Sequence, residues 1–375
     1  MYAVKPRPLR VLLAINTLAR GGAERQLVEL ATGLDRDRFS VSVLCVIAGG
    51  PLADELTSAG IPVAIFDSRK PLELLRLIAH VRRDAVDVVH SFLFGSNIVG
   101  VLAATVGRVP VVITSRRSLG FFKDGRPHYD LLQRLANRFT DAIVANAEAV
   151  RRDTLLREHL DSAKVRVIPN GVDLARFDQP KAAAVKREEL LALAGSSGPL
   201  VVVVANLIEY KGIDYFVDAW REVIEKVPAA RAVVVGEGPA RAELEARAAD
   251  MTQSIRFIGS RDDAPMILAA ADLVVQSSLY EGFPNAILEA MAAGRPVVAT
   301  AVGGTVEAVV HERTGIVVPP RDSKAIAKAT EKLLTDQETM RSYGDAGRER
   351  AKSEFSHSVM VRRYADLYMS LMSQR

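Results

Sequence analysis

Cysteine is almost absent from this chain. The sequence of 375 residues has one, Cys45, in the strand-like run VSVLCVI, and we interpret it as a buried core thiol. A single cysteine excludes an internal disulfide, and the six histidines form no cluster with it that would indicate zinc. We therefore expect a protein of the cytosol that holds no metal.

Long hydrophobic runs are also missing. The longest, such as Leu200–Ala205, have the length of a strand and fall far short of a bilayer span. Basic residues occur within Met1–Arg10, but the apolar segment Val11–Ile15 that follows is too short for a signal peptide, and we expect none. Hydrophobic residues form 49% and charged residues 25% of the chain, a composition typical of globular proteins.

The net charge of the chain is a modest +4, but basic residues are concentrated in one segment. Ser115–Arg138 carries six Arg or Lys against two Asp, with Leu, Phe and Tyr between them. A basic and aromatic segment of this kind can bind an anionic membrane surface, and nucleic acid is a second option. The third explanation is a substrate-groove loop followed by an ordinary amphipathic helix. We expect a cytoplasmic protein with peripheral contact to the inner face of the cytoplasmic membrane, and no nucleic-acid partner.

The length predicts two domains, and short Val/Ile-rich strands alternate with helices throughout. This alternation favours an α/β fold of parallel sheets covered by helices on both faces. In the first half we predict strands at Arg10–Asn16, Phe39–Ile47, Pro62–Phe66, Val86–His90, Val109–Thr114, Ala142–Asn146 and Val165–Pro169. In the second half we predict strands at Leu200–Ala205, Arg231–Gly236, Ile255–Ile258, Leu273–Gln276, Pro296–Thr300 and Gly315–Val318.

A polar, Ala-rich stretch at 174–198 separates the halves and is the predicted hinge, since it includes a Gly-Ser-Ser-Gly sequence. We place the N-terminal domain at 1–175 and the C-terminal domain at 176–354. Phe355–Ser373 has apolar residues at helical spacing and is predicted to be a long amphipathic helix. Two doubly wound domains in series create a cleft, because ligands bind outside the carboxyl ends of the strands.

The stretch Ser277–Pro296 contains the strongest functional signal. Two carboxylates, Glu281 and Glu289, stand eight residues apart across a predicted helix start, with Pro284 at the first helical position and the helix at Asn285–Ala293. The N–H groups of a helix start bind anions, and phosphate suits them best. A diphosphate held there has a carboxylate on each side, and carboxylates accept hydrogen bonds from hydroxyls. A diphosphate flanked by two polyols is a nucleotide sugar, which is the predicted ligand.

Three weaker motifs lie at predicted strand ends, and each also has a purely structural explanation. Gly21 and Gly22 follow the first strand, where glycine lets backbone approach a ligand. Lys211 follows Leu200–Ala205 and can offer a positive charge to phosphate. His90 ends a strand and can face the same cleft.

Two further motifs are discounted. Val235–Pro239 superficially suggests a dinucleotide fingerprint, but no third glycine follows at the needed spacing. The sequence Asp35-Arg36-Asp37 has the Asp-x-Asp form that binds metal in some sugar transferases. It lies away from the expected strand ends, and we interpret it as a solvated loop.

These stretches together resemble one family, the family 4 glycosyltransferases, which are retaining enzymes of the GT-B fold. The similar segments are GGAERQLVELATGL, IPNGVD, VANLIEYKG, VVVGEGPAR, IRFIGSRDD, ADLVVQSSLYEGFPNAILEAMAAGRPVVATAVGG and TGIVVPPRD. The resemblance covers nearly the whole chain and is greatest to members that build polysaccharides and O-antigens. It implies two Rossmann-like domains facing across a cleft, with the C-terminal helix, 355–375, crossing back to the N-terminal domain.

The resemblance also implies roles for the candidate residues. Glu281 binds hydroxyls of the transferred sugar, Glu289 the nucleotide ribose, and Lys211 the diphosphate; Glu281 and Lys211 are therefore predicted catalytic residues. The donor is a nucleoside diphosphate sugar, UDP- or GDP-linked, and neither a cofactor nor a metal is required. The predicted donor-binding residues are Gly21, Gly22, Asn206, Lys211, Ile258, Gly282, Phe283, Pro284, Asn285, Ala286, Ile287 and Glu289.

Two positions depart from the family pattern. Many members have an arginine where Asn206 stands, and a histidine after the strand that corresponds to Val109–Thr114. This chain has Ser115-Arg116-Arg117 there instead of the histidine. An arginine cannot act as a base, but it can bind a donor or acceptor phosphate, so Arg116 is predicted to be catalytic. The predicted acceptor-side residues are His90, Ser115 and Arg117.

The activity implied is transfer of a sugar, with retention, to a glycan or lipid-linked acceptor in the synthesis of a cell-surface polysaccharide or glycolipid. Family enzymes are thought to use front-face substitution, in which the leaving phosphate helps deprotonate the acceptor hydroxyl. Two alternatives stay open. One is a non-catalytic nucleotide-sugar-binding subunit, which the two departures suggest, and the other is a sugar-nucleotide epimerase of the GT-B fold.

Overall fold

The structure, a computed structural model, describes residues 7–194 and 198–375. Most of the predicted Gly-Ser-Ser-Gly sequence, like the first six residues, lies outside the described residues. The chain divides into two compact units. Unit 1 contains the chain up to Gly171 together with His357–Arg375, and unit 2 contains Val172–Ser356.

Unit 1 has a seven-stranded parallel sheet in the order β3-β2-β1-β4-β5-β6-β7. Every strand predicted for the first half is present, with ends that differ by one or two residues. The strands are β1 Leu9–Ile15, β2 Phe39–Cys45, β3 Val63–Ile65, β4 Val88–Phe92, β5 Val111–Arg116, β6 Ala142–Ala145 and β7 Val165–Val167. The helices that precede unit 2 are α1 Gly22–Gly33, α2 Leu52–Ser58, α3 Pro71–Arg83, α4 Phe94–Gly107, α5 Pro127–Arg138 and α6 Glu148–Glu158.

Unit 2 has a six-stranded parallel sheet in the order β10-β9-β8-β11-β12-β13. Its strands are β8 Leu200–Val204, β9 Arg231–Val235, β10 Ile255–Phe257, β11 Leu273–Gln276, β12 Val297–Thr300 and β13 Gly315–Val318. Its helices are α7 Pro180–Ala194, α8 Ile213–Lys226, α9 Arg241–Arg247, α10 Ala264–Ala270, α11 Asn285–Ala292, α12 Thr305–Ala308, α13 Ser323–Thr335 and α14 Gln337–Glu354. The six strands predicted for the second half are all present.

Most strand residues are apolar because helices cover both faces of each sheet. In β8, whose sequence is LVVVV, four of the five residues are buried. The core of unit 2 is built around Trp220, the single tryptophan, which is fully buried against Phe216. Cys45 is buried in the core of unit 1, as predicted, and burial raises the pKa of its thiol to about 12.

The last helix of the chain, α15 His357–Met372, belongs to unit 1. It begins two residues after the predicted start and places Met360, Tyr364 and Tyr368 in the same core as β1 and β2. Among the residues that the structure describes, α15 and all other helices are too short or too polar to cross a bilayer.

Candidate active site

The sheet of unit 2 changes direction between β8 and β11. Strands β9 and β10 continue to one side of β8, whereas β12 and β13 continue to the other side of β11. Open α/β sheets bind ligands at such a switch point, outside the carboxyl ends of the strands. The segments that leave β8 and β11 at this point carry Lys211 and Glu281.

Lys211 and Glu281 form an ion pair, with 2.6 Å between Lys211 Nζ and Glu281 Oε1. The same oxygen accepts hydrogen bonds from Gln276 Nε2 at 2.8 Å and Ser278 Oγ at 2.7 Å. The Glu281 side chain is only 9% exposed, so its charge is held by three donors rather than by water. The described residues place no hydrogen bond on Oε2, which leaves that oxygen to accept from a ligand.

Glycines allow the surrounding loops to approach this pair closely. Gly212 has a φ of +58°, and a Cβ there would lie 2.3 Å from the carbonyl oxygen of Ser277. A Cβ on Gly303 would lie 1.8 Å from the carbonyl oxygen of Glu281 itself. Any side chain at these positions would push the loops apart, so the two glycines fix the backbone on either side of the Lys211–Glu281 pair.

The start of α11 lies directly after Glu281. The prediction that Pro284 is the first helical residue was wrong by one position: Pro284 is the N-cap, with an extended φ and ψ of −78° and 118°, and Asn285 begins the helix. The side chains of Phe283 and Ile287 are buried, Phe283 against Phe355 with 5.4 Å between ring centroids. Because these two side chains are buried, only the backbone of Phe283 and Ile287 can contact a ligand. The first N–H groups of a helix have no intrahelical acceptor, so they can donate to that ligand. Gly282 is buried, whereas Asn285, Ala286 and Glu289 are partly exposed.

The other two predicted donor-binding residues of unit 2 lie at neighbouring strand ends. Asn206 is exposed in the loop after β8. Ile258 follows β10, at the edge of the sheet and two strands from β8, and its N–H donates to the carbonyl of Val234 at 3.0 Å.

The discounted glycine motif has a packing role in the structure. A Cβ on Gly236, which has a φ of +143°, would lie 1.8 Å from the carbonyl oxygen of Ala205. A Cβ on Gly238 would lie 2.2 Å from the carbonyl oxygen of Leu207. The two glycines therefore let the loop after β9 pack on the loop after β8.

Unit 1 has its own switch point, between β1 and β4. Gly21 is the extended N-cap of α1 and Gly22 is its first residue. The carboxylate of Glu24 folds back over Gly21, with Oε2 2.2 Å from the position that a Cβ there would take. Burial raises the pKa of Glu24, and the positive charge of Arg117 opposes this. Gly21 thus provides room for the carboxylate of Glu24.

His90 does not lie at a strand end, contrary to the prediction. Strand β4 continues two residues further, to Phe92, and His90 is fully buried within it. Its Nδ1 lies 2.7 Å from Tyr368 Oη and its Nε2 lies 2.8 Å from Ser115 Oγ, which is buried as well. Burial, assisted by the charge of Arg117, lowers the pKa of His90 to about 3, so the ring is neutral. His90 and Ser115 therefore join β4 and β5 to α15 inside unit 1.

Arg116 is buried in an ion cluster. Its Nε and Nη2 donate to the two carboxylate oxygens of Glu158 at 3.0 and 2.8 Å, and Lys123 Nζ lies 3.0 Å from the same carboxylate. Thr114 and Asn137 accept the remaining hydrogen bonds of the guanidinium at 3.1 and 2.9 Å. Although burial alone would raise it, these cations lower the pKa of Glu158 to about 2. The guanidinium of Arg116 is thus committed to partners within unit 1.

Arg117 is only partly buried. It donates to Asn170 Oδ1 at 2.6 Å and to Tyr364 Oη at 3.3 Å, and its guanidinium carbon lies 5.5 Å from the centre of the Phe92 ring. Its Nε is buried and has no hydrogen-bond partner among the described residues.

Sequence reasoning missed two groups of residues that the structure brings to these sites. Gln276 and Ser278 lie close to Glu281 in the sequence, just where a predicted strand ends. That proximity could have indicated that their side chains bind Glu281. Lys123 and Glu158 surround Arg116, but they are separated by 35 residues in the sequence, and no local pattern connects them.

Comparisons with known proteins agree with this architecture. Residues 20–176 match the family described as Glycosyltransferase Family 4, and residues 198–336 match the one described as Glycosyl transferases group 1. The chain belongs to the family 4 glycosyltransferases. It is therefore an enzyme that transfers a sugar unit, and the predicted GT-B fold is confirmed.

Individual relatives match most of the chain. D-inositol 3-phosphate glycosyltransferase of Salinispora tropica is 32% identical, over 96% of this chain and 79% of its own. UDP-Gal:alpha-D-GlcNAc-diphosphoundecaprenol alpha-1,3-galactosyltransferase of Escherichia coli is 26% identical, over 94% of each chain. The structure of Anabaena HepE in complex with UDP and glucose superposes with a TM-score of 0.86 at 25% identity, covering 96% of this chain and 100% of that one.

Proposed function

We propose that this enzyme transfers a sugar from a UDP-sugar, with retention of configuration, to a lipid-linked or glycan acceptor in the synthesis of a cell-surface polysaccharide or glycolipid. The observation that carries the proposal is the Lys211–Glu281 pair at the switch point of unit 2, directly before the start of α11. The E. coli relative, whose name specifies UDP-Gal and a diphosphoundecaprenol acceptor, supports both the donor and the acceptor class. The UDP and glucose in the HepE structure support the donor.

In this proposal the donor diphosphate lies at the start of α11, where the amides of Phe283–Ile287 and the ammonium group of Lys211 bind it. Glu281 Oε2 accepts a hydrogen bond from a hydroxyl of the transferred sugar, because Oε1 already accepts three hydrogen bonds from protein donors. Glu289, one turn into α11, accepts the ribose hydroxyls, and Ile258 lies beside the base. The negative charge that develops on the leaving diphosphate is stabilised by Lys211 and by the helix start.

The chemistry then needs little from a protein base. The bond between the sugar C1 and the donor phosphate breaks, the acceptor oxygen bonds to C1 on the same face, and the acceptor proton passes to the departing phosphate. His90 cannot take that proton, since it is fully buried with both ring nitrogens bonded and its pKa is lowered to about 3. Arg116 cannot take it either.

The donor assignment is tested by thermal shift and calorimetry with UDP-glucose, UDP-galactose, UDP-N-acetylglucosamine and GDP-mannose. A ligand that binds only the folded protein raises its melting temperature. We expect a shift with at least one UDP-sugar and with UDP itself. A shift with GDP-mannose alone would replace UDP by GDP, and no shift with any of the four would refute a nucleotide-sugar site.

The residue assignment is tested with Lys211→Ala and Glu281→Gln. Each should lower kcat/KM for transfer by about a hundredfold, because the lost interaction acts on charge that develops in the transition state. The matched control is the ion pair of Lys332 and Glu312, also in unit 2, at 3.0 Å but about half exposed. Lys332→Ala and Glu312→Gln should leave kcat/KM unchanged. Equal effects of the two pairs would show that Lys211 and Glu281 have no special role.

A second observation favours peripheral membrane contact by unit 1. Helix α5, the turn before it and the residue that follows it expose six large apolar side chains: Phe121, Phe122, Leu131, Leu132, Leu135 and Phe139. Arg126, Arg134 and Arg138 are exposed in the same segment, whereas Arg116 and Lys123 of the predicted basic segment are buried with Glu158. Exposed cations beside exposed apolar groups suit an anionic bilayer surface.

Sedimentation with vesicles of phosphatidylglycerol and phosphatidylcholine at low salt tests this contact. Replacing Arg126, Arg134 and Arg138 by Ala should release the protein from the vesicles, since each basic residue near the surface adds to the attraction. The matched variant replaces three exposed arginines of unit 2 by Ala, namely Arg247, Arg261 and Arg341, and should still bind the vesicles. Failure of the native protein to bind these vesicles would remove the membrane from the proposal.

A further inference from the structure

Unit 1 has an open groove at the edge of its sheet, away from the switch point between β1 and β4. The groove, called the α15 groove below, is a cavity of about 490 Å³ with residues 166–168 of β7 and its end on one side and Arg363, Leu367 and Leu371 of α15 on the other. Strand β7 is the outermost strand of the sheet, three strands from β4. None of the residues assigned to the donor or to the acceptor lines this groove.

The α15 groove is open because the two faces of the unit 1 sheet are covered unequally. Successive residues of a strand point to opposite faces. Val11 and Leu13 of β1 belong to the core with α1, α2 and α15, whereas Leu12 and Ala14 belong to the core with α3, α4 and α5. Helix α6 packs beside α5 and extends that second row. Among the described helices of unit 1, four therefore cover one face and three the other, which leaves the place beside α15 vacant.

Helix α15 has a second face besides the one that it buries in unit 1. Met360, Tyr364 and Tyr368 point into the core. The residues that line the α15 groove are spaced three and four apart along the helix: Arg363, Asp366, Leu367, Ser370, Leu371 and Gln374. Residues at this spacing form one continuous stripe, and a stripe of this kind is the surface on which a second helix packs. Leu367 and Leu371 are only partly buried along it.

The groove also carries charges of both signs that lack partners. Arg166 on β7 and Arg363 and Asp366 on α15 line it and are exposed. Within the part of the chain that the structure describes, none of these three side chains has an ion pair or a hydrogen bond. The fourth charged residue of the lining, Asp141, is already bound, since its Oδ2 accepts a backbone N–H at 2.7 Å and its Oδ1 pairs with Arg375. Two cations and one anion are thus available to a partner.

The charges on α15 are complementary to those of a second α15. Because Arg363 and Asp366 are three residues apart, they lie on the same side of the helix. Contacts across a two-fold axis are reciprocal. When two copies of the helix lie antiparallel about an axis that passes between these residues, Arg363 of each copy faces Asp366 of the other. Two equal ion pairs then form, Leu367 lies beside them, and Arg166 adds a further positive charge for Asp366 of the other copy.

We propose that the α15 groove is a self-association surface, which takes the α15 helix of a second copy of this chain with Arg363 of each copy paired to Asp366 of the other. Helix α15 has 16 residues and is therefore about 24 Å long. A contact of this length is smaller than a standard protein interface, so the dimer depends on protein concentration and has a Kd in the micromolar range. The contact involves neither donor nor acceptor, and it stands or falls separately from the proposed function.

Sedimentation velocity of the full chain at about 1–100 µM tests this association. The native protein should change from monomer to dimer within that range. Arg363→Asp and Asp366→Arg, each alone, should raise the Kd at least about tenfold, because like charges then face each other across the axis. Both side chains are exposed, so the melting temperature of each variant should equal that of the native protein.

An equimolar mixture of these two variants distinguishes a second copy from any other occupant. In a mixed pair, both acidic side chains of the Arg363→Asp chain face basic side chains of the Asp366→Arg chain. The mixture should therefore dimerise about as tightly as the native protein, although neither variant does so alone. Only a contact between two α15 helices accounts for this recovery.

The matched control is Arg362→Asp. Arg362 is the neighbouring arginine of α15 and is exposed as well, but it does not line the groove. This change should leave the Kd unaltered. A native protein that stays monomeric, a dimer that neither groove variant weakens, or equal loss in the Arg362→Asp and Arg363→Asp variants would overturn the inference. A mixture that fails to recover would also overturn it and would assign the groove to a different partner.

Discussion

Glu158 offers the most quantitative prediction from this structure. Its carboxylate neutralises two cations, Arg116 and Lys123, and the side chains of all three groups are less than one tenth exposed. Removing the negative charge leaves the buried Arg116 without a carboxylate partner and leaves Lys123 with only the more distant Asp130, at 3.7 Å. Breaking a buried ion pair by changing one partner costs about 3–5 kcal/mol, since the remaining charge has no compensation.

The lowered pKa of the same carboxylate predicts how this stabilisation depends on pH. In the folded protein the pKa of Glu158 is lowered from 4.5 to about 2. At roughly 1.4 kcal/mol for each pH unit, the charged form contributes about 3 kcal/mol to the free energy of unfolding. Because the folded-state pKa lies below the unfolded-state value, this contribution is complete above the unfolded-state pKa of 4.5 and is lost as the pH falls towards about 2.

The variant to compare with the wild type is Glu158→Gln, which keeps the shape and removes the charge. The single tryptophan, Trp220, lies in unit 2 and reports on that unit. Unfolding of unit 1 is therefore followed by hydrogen exchange of the β5 and β6 amides at several pH values. At pH 7 the variant should be about 3 kcal/mol less stable in unit 1, and the difference should shrink below pH 4.5.

The control is Glu312→Gln, which removes a carboxylate paired with Lys332 at the surface. Exposed pairs contribute about 0–1 kcal/mol, so this change should have little effect on stability. A Glu158→Gln protein within about 0.5 kcal/mol of the wild type at pH 7 would refute the reasoning, because it would mean that water or another carboxylate compensates Arg116 and Lys123.

Three further outcomes are expected. Gln276→Leu should lower kcat/KM for the nucleotide sugar by about tenfold, because Glu281 loses one of its three hydrogen-bond donors. The melting temperature should stay unchanged. An unchanged kcat/KM in steady-state assays would contradict this. Gly236→Ala should destabilise unit 2 by more than about 2 kcal/mol, measured by Trp220 fluorescence during denaturation, since the new Cβ would meet the carbonyl of Ala205. Cys45 should resist iodoacetamide in the native protein at pH 8, because burial raises its pKa to about 12; rapid labelling, read as a mass increase, would show that the site opens.

The fold was largely predictable because the strands of a doubly covered parallel sheet are continuous Val/Ile runs, which the sequence displays directly. Errors arose where a polar residue continues a strand. His90 and Ser91 interrupt the apolar pattern of β4, and one partner of His90, Tyr368, comes from a distant part of the chain. Pro284 shows that the sequence does not fix a helix start to a single residue, since proline fits both the N-cap and the first helical position.

The candidate sites also include residues that the local sequence indicates and residues that it does not. The Lys211–Glu281 pair joins two strand ends, and the sequence shows both ends, so its two residues were named in advance. The buried ion pair of Arg116 was not predictable, because its partner Glu158 lies 42 residues away in the sequence. A cavity of about 240 Å³ in unit 1 is lined by Ser115, Arg116 and Arg117, which the sequence analysis named, and by Leu93, whose strained backbone a sequence does not reveal.

The place of α15 in unit 1 has a consequence for how the chain is made. Unit 1 is discontinuous: its core includes Met360, Tyr364 and Tyr368, which the ribosome adds only after the whole of Val172–Ser356. At about 5–20 residues per second, the first 171 residues wait roughly 10–40 s for the helix that covers their core. Unit 2, which is continuous, completes its chain first. We therefore expect the nascent N-terminal segment to expose part of its core while unit 2 is synthesised.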